Sequence, residues 1–304
     1  MEIGEIMGEF VGAGLLSHVP TIMLPLETRK QLNDGKEISL VPALEKLRKD
    51  VFETLDYDTV LVLDSHWFTT VEFVITSHAR RAGLFTAEEL PRGMCRIPYE
   101  WRGDPEFAKA IAAEGEGVGT WITAIDDEYL PMYYPSLNMW SYLGKGLDKQ
   151  WLSISVCQTG DTEDFLRVGR AIGKAIEKVD RKVLLIATGS MSHTFYPLRE
   201  LRNHESSDPK HIFSDKAREM DWERLGWFEE GRHDLVLDTM DEFLKVRPEG
   251  KFAHYLMMAA ALGEKDFSAP GVRISDYENS IGTSQVHVWF DKPAEGWNAK
   301  RVGA

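Results

Sequence analysis

The chain has 304 residues, 43% of them hydrophobic and 28% charged, enough for a substantial core. Its formal net charge of −14 comes without a Lys/Arg cluster, which argues against a nucleic-acid partner, because phosphate contacts need a basic patch. Cys95 and Cys157 are far apart and form no CxxC pattern, so a disulfide scaffold and a zinc ribbon are not indicated and a reducing cytoplasm fits.

The N-terminal stretch 1–9 holds three glutamates and no basic n-region, and no segment reaches membrane-spanning length, so a cytoplasmic chain without a membrane partner is expected. Residues 10–16 read as an apolar strand running into Ser17-His18-Val19-Pro20. Residues 21–39 have no period and read as a loop. Leu40, Leu44, Leu47 and Val51 predict a helix over 40–55. It leads into Val60-Leu61-Val62-Leu63-Asp64-Ser65-His66-Trp67, an apolar run without alternation, as in a parallel strand buried on both faces. Residues 71–77 are a further strand. Residues 85–103, rich in Pro, Gly and aromatics, read as an ordered lid or substrate loop. Asp104-Pro105-Glu106 starts a helix to about 114, followed by a strand over 118–124 and an acidic, tyrosine-rich loop over 126–135. A strand over 151–157, a helix capped by Asp161, a strand over 183–187, helices within 213–262 and a strand over 286–290 complete the pattern. Strands alternating with helices and no linker predict one α/β domain over residues 1–304, with a mostly parallel central sheet flanked by helices.

The candidate chemistry sits where apolar strands stop. His18, His66 and His193 each follow a serine after such a run, and open parallel sheets bind ligands at the carboxyl ends of their strands. Two imidazoles and a carboxylate on one side of a divalent metal leave positions free for substrate and oxygen, which suits Fe(II). For the carboxylate, Glu249 falls on the stripe Phe252, Ala253, Leu256 and Ala260 of a helix expected to open at Pro248. An acid in a first helical turn, favoured by the helix dipole, reads equally well there. HExxH, GxSxG, GxxxxGK[ST] and GxGxxG patterns are missing. A zinc hydrolase using the same residues would lack its general-base glutamate.

Six pieces in order carry a resemblance: Leu16-Ser17-His18-Val19-Pro20, Leu63-Asp64-Ser65-His66-Trp67, Glu89-Leu90-Pro91, Thr188-Gly189-Ser190-Met191-Ser192-His193, Pro248-Glu249-Gly250 and Ile281-Gly282-Thr283-Ser284-Gln285-Val286. The chain resembles the class III, LigB-type, extradiol ring-cleaving dioxygenases, and among them the 3,4-dihydroxyphenylacetate (homoprotocatechuate) type. The resemblance implies His18, His66 and Glu249 as ligands of Fe(II), a set that Mn(II) also accepts, and His193 as acid/base. Tyr129 is the match for a second active-site histidine that many members carry. The implied partners are a catechol and O2; a homo-oligomer is expected. The alternative is a subunit of a hetero-oligomeric aminophenol or catechol dioxygenase. Arg92, Arg96, Arg199 and Arg202 are candidates for a substrate carboxylate, and Trp67, Trp101, Tyr129, Tyr133 and Tyr134 for the pocket wall.

Overall fold

Runs of Val, Ile and Leu without alternation build the middle of a ten-stranded sheet. A computed structural model of the chain describes residues 7–298. Its strands are β1 (Glu9–Leu16), β2 (Thr59–Thr69), β3 (Phe73–Thr76), β4 (Arg80–Phe85), β5 (Ile97–Arg102), β6 (Ile122–Ile125), β7 (Gln150–Cys157), β8 (Lys182–Thr188), β9 (Gly271–Arg273), β10 (Glu278–Ser280), β11 (Thr283–Gln285) and β12 (His287–Asp291). The sheet runs β4-β5-β7-β2-β8-β1-β12-β9, with β3 pairing β6 and β7, and β10 and β11 form a separate pair. The strands β7, β2, β8 and β1 are parallel neighbours. β12 and β9 continue the sheet antiparallel.

Both faces of this centre are covered. Along β2, Leu61 and Leu63 enter one core while Val60 and Val62 enter the other, and β8 divides Leu185 and Ala187 from Leu184 and Ile186 in the same way. A strand apolar on both sides has no polar face to alternate with. The helices Pro105–Gly117, Thr162–Ile176 and Ala253–Ala261 supply the first core, and Leu40–Leu47 and Tyr134–Met139 the second. Two of them start as their sequences predict: Asp104 accepts from the Phe107 N–H ahead of Pro105, and Asp161 forms a reciprocal capping box with Asp164.

Four expectations are corrected. The stretch 21–39 is not all loop, because Leu26–Leu32 forms an α-helix. The helix expected over 40–55 leaves α geometry after Leu47 and passes through a π turn, Arg48–Phe52. The region 85–103 is not all loop, because β5 pairs with β4 as an antiparallel hairpin. Glu249 does not open a regular helix: Gly250, Lys251 and Phe252 have φ of 54°, 58° and 63°, and the α-helix begins at Ala253. Among the described residues no helix is long and apolar enough to cross a membrane.

Candidate active site

Sheet register brings the histidine-bearing segments to one edge. Leu16 pairs with Thr188 and Thr188 with Asp64, so β1, β8 and β2 reach the same level where 17–18, 189–193 and 65–67 begin. In β2 the register then breaks. Asp64 faces Ser155 and Phe68 faces Val156, leaving Ser65, His66 and Trp67 without a partner on β7. Such a bulge re-aims its side chains. The fully buried Asp64 holds it, accepting from the His66 and Trp67 N–H groups at 3.1 and 3.0 Å and from Ser136 Oγ at 2.8 Å.

A second clip delivers Glu249. Ser192 and Pro248 form an isolated antiparallel bridge, the His193 N–H donates to the Arg247 carbonyl at 3.0 Å, and the Glu249 N–H donates to the Met191 carbonyl at 3.0 Å. Glu249, only 6% exposed, therefore meets the edge of the sheet beside His193. Its Oε1 accepts from Ser65 Oγ at 2.5 Å and lies 3.3 Å from His18 Nε2. Its Oε2 accepts from the Ser190 N–H at 2.6 Å and lies 3.9 Å from His193 Nε2. The close approach needs Gly189, where an added Cβ would stand 2.6 Å from the His254 ring and 2.8 Å from Ser65 Oγ.

These groups line one cavity of about 500 Å³ that includes His18, His66, His193, Glu249, Glu89 and Tyr134. His18 is oriented by Thr188 Oγ1, 2.9 Å from its Nδ1, and by Asn138 Nδ2, which donates to its carbonyl at 2.8 Å. The ring of His18 lies 6.1 Å from that of His66, and Tyr134 stacks obliquely on His66 at 4.5 Å between centroids. His66 Nε2 stands 3.1 Å from Glu89 Oε1. A more open depression of about 770 Å³ around Trp121 and Thr159 contains none of these histidines.

Burial alone would push the Glu249 carboxyl up, but the facing His18 and His193 hold it well below the usual carboxylate range. For His193 burial dominates and lowers the imidazole pKa despite Glu249, so a neutral ring faces the cavity. His66 moves the other way, because its bond and charge pairing with Glu89 outweigh burial. Burial, with the charges of Glu249 and Glu89 beside it, raises the Tyr134 phenol far enough that it stays a proton donor to Glu89.

Among the described residues, no three His, Cys, Asp or Glu side chains stand converged on a common point. The reason is pairing: His18 faces Glu249 while His66 faces Glu89. The donor chemistry nonetheless fits a divalent cation, with an ionised carboxylate held by Ser65 and Ser190 and two imidazoles on the same wall.

The deciding observation is a family match: residues 12–290 fit the family described as the catalytic LigB subunit of aromatic ring-opening dioxygenase. The chain belongs to the LigB family. This LigB-family chain is 26% identical over 261 residues to an Escherichia coli protein named 3,4-dihydroxyphenylacetate 2,3-dioxygenase, covering 84% of this chain and 91% of that one. Its fold is shared with the crystal structure of an uncharacterized protein from Escherichia coli K12, at a TM-score of 0.59 and 16% identity, over 92% of this chain and 99% of that one.

Of the residues singled out in the sequence, His18, His66, His193 and Glu249 come together in this LigB-family site. Tyr129 does not: it is 82% exposed, in a turn where its N–H donates to Asp127 Oδ1. Tyr134, five residues on and at the start of the Tyr134–Met139 helix, lines the cavity instead. Trp67 stacks on Tyr133 at 5.4 Å and Trp101 packs on Trp140 at 5.2 Å, neither lining the cavity. The sequence reading missed a role for Glu89, although it sits in one of the resembling pieces, and for the orienting groups Asp64, Ser65 and Thr188. A fully apolar run ending in an acid marked Asp64 as a group needing internal donors.

Proposed function

We propose that this chain opens the ring of a catechol beside the diol, placing both atoms of O2 in the product, with Fe(II) held by His18, His66 and Glu249. What carries the reading is the gathering of His18, His66, His193 and an ionised Glu249 on one cavity wall in a chain of an aromatic ring-opening dioxygenase family. Mn(II) fits the same donors. The substrate in the relative's name, 3,4-dihydroxyphenylacetate, is the reference compound.

Bound Fe(II) would supply a Lewis-acidic, one-electron centre through which a catecholate and O2 can react. The chain's own residues do the rest. Ser65 and Ser190 keep the Glu249 carboxylate aimed and charged, and Thr188 fixes the His18 ring, so two donors stand ready before a cation arrives. His66, paired here with Glu89 on a half-exposed side chain, would be the third residue to hold the cation. His193, whose ring burial keeps neutral, takes a proton from a substrate hydroxyl and returns it later as a general acid. Tyr134 presses on the His66 ring and keeps Glu89 in place by donating to it. Cytoplasmic location belongs to the same reading, supported by two unpaired cysteines, one exposed and one buried.

The test is turnover of a catechol by Fe(II)-loaded protein under isotopically labelled dioxygen. The expected product is a yellow ring-opened semialdehyde acid with one labelled oxygen in its new carboxylate and the other in its aldehyde, trapped by rapid reduction before that oxygen exchanges with water. An intact ring, or an opened product with no label in its carboxylate, contradicts the proposal.

A further inference from the structure

The cavity wall also bears on what the catechol carries on its ring. Beyond the histidines and Glu249, its lining is largely aliphatic: Leu24, Leu32, Leu90, Leu201 and Ile281. Its other charged groups are Glu89 and Glu205, both carboxylates, and among the described residues no Lys or Arg lines it. None of the arginines suggested by the sequence for a substrate carboxylate, Arg92, Arg96, Arg199 or Arg202, does so. Arg29, close in sequence to Leu24 and Leu32, is taken by both oxygens of Glu37, at 2.8 and 2.9 Å, and by backbone carbonyls.

Two of the neutral polar groups, Gln285 and Thr283, are engaged as well. Gln285 Nε2 donates to Thr283 Oγ1 at 2.7 Å, Gln285 Oε1 accepts from Ser17 Oγ, and Thr283 Oγ1 donates to the Ser280 carbonyl at 2.8 Å. A carboxylate placed here would lose water and gain no cation, only the neutral hydroxyls of Thr21 and Ser280, beside two fixed negative charges. An ammonium would fare little better. Glu89 is committed to His66 and Tyr134, and Glu205 is an exposed carboxylate of the kind that adds little. An alkyl or aryl group meets surface of its own kind, at roughly a fourfold gain in affinity per buried methylene.

We infer that the catechol of this site carries an uncharged, apolar substituent, an alkyl or aryl group, rather than the carboxylate of an arylacetic acid. The inference rests on the ring-opening reading above and adds the substrate class to it.

The test compares kcat/KM of the Fe(II)-loaded protein for 4-propylcatechol, 3,4-dihydroxyphenylacetate and dopamine. The expected preference for 4-propylcatechol over each charged compound is fivefold or more, on the order of one to two buried methylenes. Either charged compound reaching a smaller ratio overturns the inference and leaves ring opening standing. No ring opening with any of them defeats the ring-opening reading and this inference with it. Calorimetric binding of the non-cleavable monophenols 4-propylphenol and 4-hydroxyphenylacetate is expected in the same order, and equal or reversed affinities overturn it without reference to turnover. In Leu201→Ala and Ile281→Ala the ratio of kcat/KM for 4-propylcatechol to that for catechol should fall about threefold or more, in line with lost apolar contact. An unchanged ratio in both variants is the opposing result.

Discussion

Glu249 is where two opposing effects meet. Taking a carboxylate out of water disfavours its charge, yet His18 and His193 face it and the Ser65 hydroxyl and Ser190 N–H donate to it, and the charged form wins. His193 has no such donor set, so burial leaves it neutral, the form a general base needs. Replacing it in His193→Ala should leave bound iron unchanged while lowering kcat by about 100-fold or more, measured by steady-state oxygen uptake. The histidines were legible because each ends an apolar strand. Glu249 was legible only through resemblance: the helical stripe proposed for it does not exist, since the chain passes through three left-handed residues before the helix begins. A left-handed conformation at a residue other than glycine leaves no periodic trace in a sequence, and Lys251 and Phe252 both adopt it beside Gly250. Tyr129 is preferred to Tyr134 on resemblance alone, because a loop without period does not say which of its tyrosines turns inward.

At the scale of elements, the bulge of β2 and the bridge between Ser192 and Pro248 do the positioning. Removing the acid that holds the bulge, in Asp64→Ala, should free the His66 backbone and lower Fe(II) affinity by about 10–100-fold, read by competition with a chromogenic chelator. The bridge has its own buried anchor. Asp221 accepts from the Ser192 N–H at 3.1 Å, from Ser192 Oγ at 2.6 Å and from Tyr277 OH at 2.6 Å. Asp221→Ala strands these donors at about 1–3 kcal/mol for an unsatisfied buried group, so thermal unfolding should shift down and His193 should lose its support. Neither device was visible beforehand. A bulge spends no special residue type, and Asp221 lies on a helix whose sequence shows little amphipathic pattern, so its burial comes from packing alone. The β4–β5 hairpin hid for a related reason: Gly, Pro and aromatics over 85–103 suggested a loop, although β5 itself contains Pro98 opposite Leu84.

Across the whole molecule, the order of the central strands and the helices that cover them was readable because strands covered on both faces and capped helices each leave a local signature, as β2, β8 and the Asp161-capped helix illustrate. Strand order and register depend on pairings far apart in sequence, and only they bring 17–18, 65–67 and 189–193 together. The same burial makes stability depend on pH. Burial pushes His287 down to about 3 and His254 down to about 4. Both lie below the ordinary histidine value of about 6.5, so in that window the unfolded chain binds protons that the folded chain does not. Their stabilisation is complete above about pH 6.5 and is lost as pH falls, at about 1.4 kcal/mol per unit of pKa difference. Tm should therefore drop from about pH 7 to about pH 4, and His287→Gln should flatten part of that slope; a parallel Tm profile in the variant would speak against it. The most direct test of the proposed centre is iron per chain after anaerobic loading with Fe(II) and desalting, in the unmodified protein and in Glu249→Ala. One iron per unmodified chain and almost none in the variant is the predicted result, and a full iron complement in Glu249→Ala would contradict it.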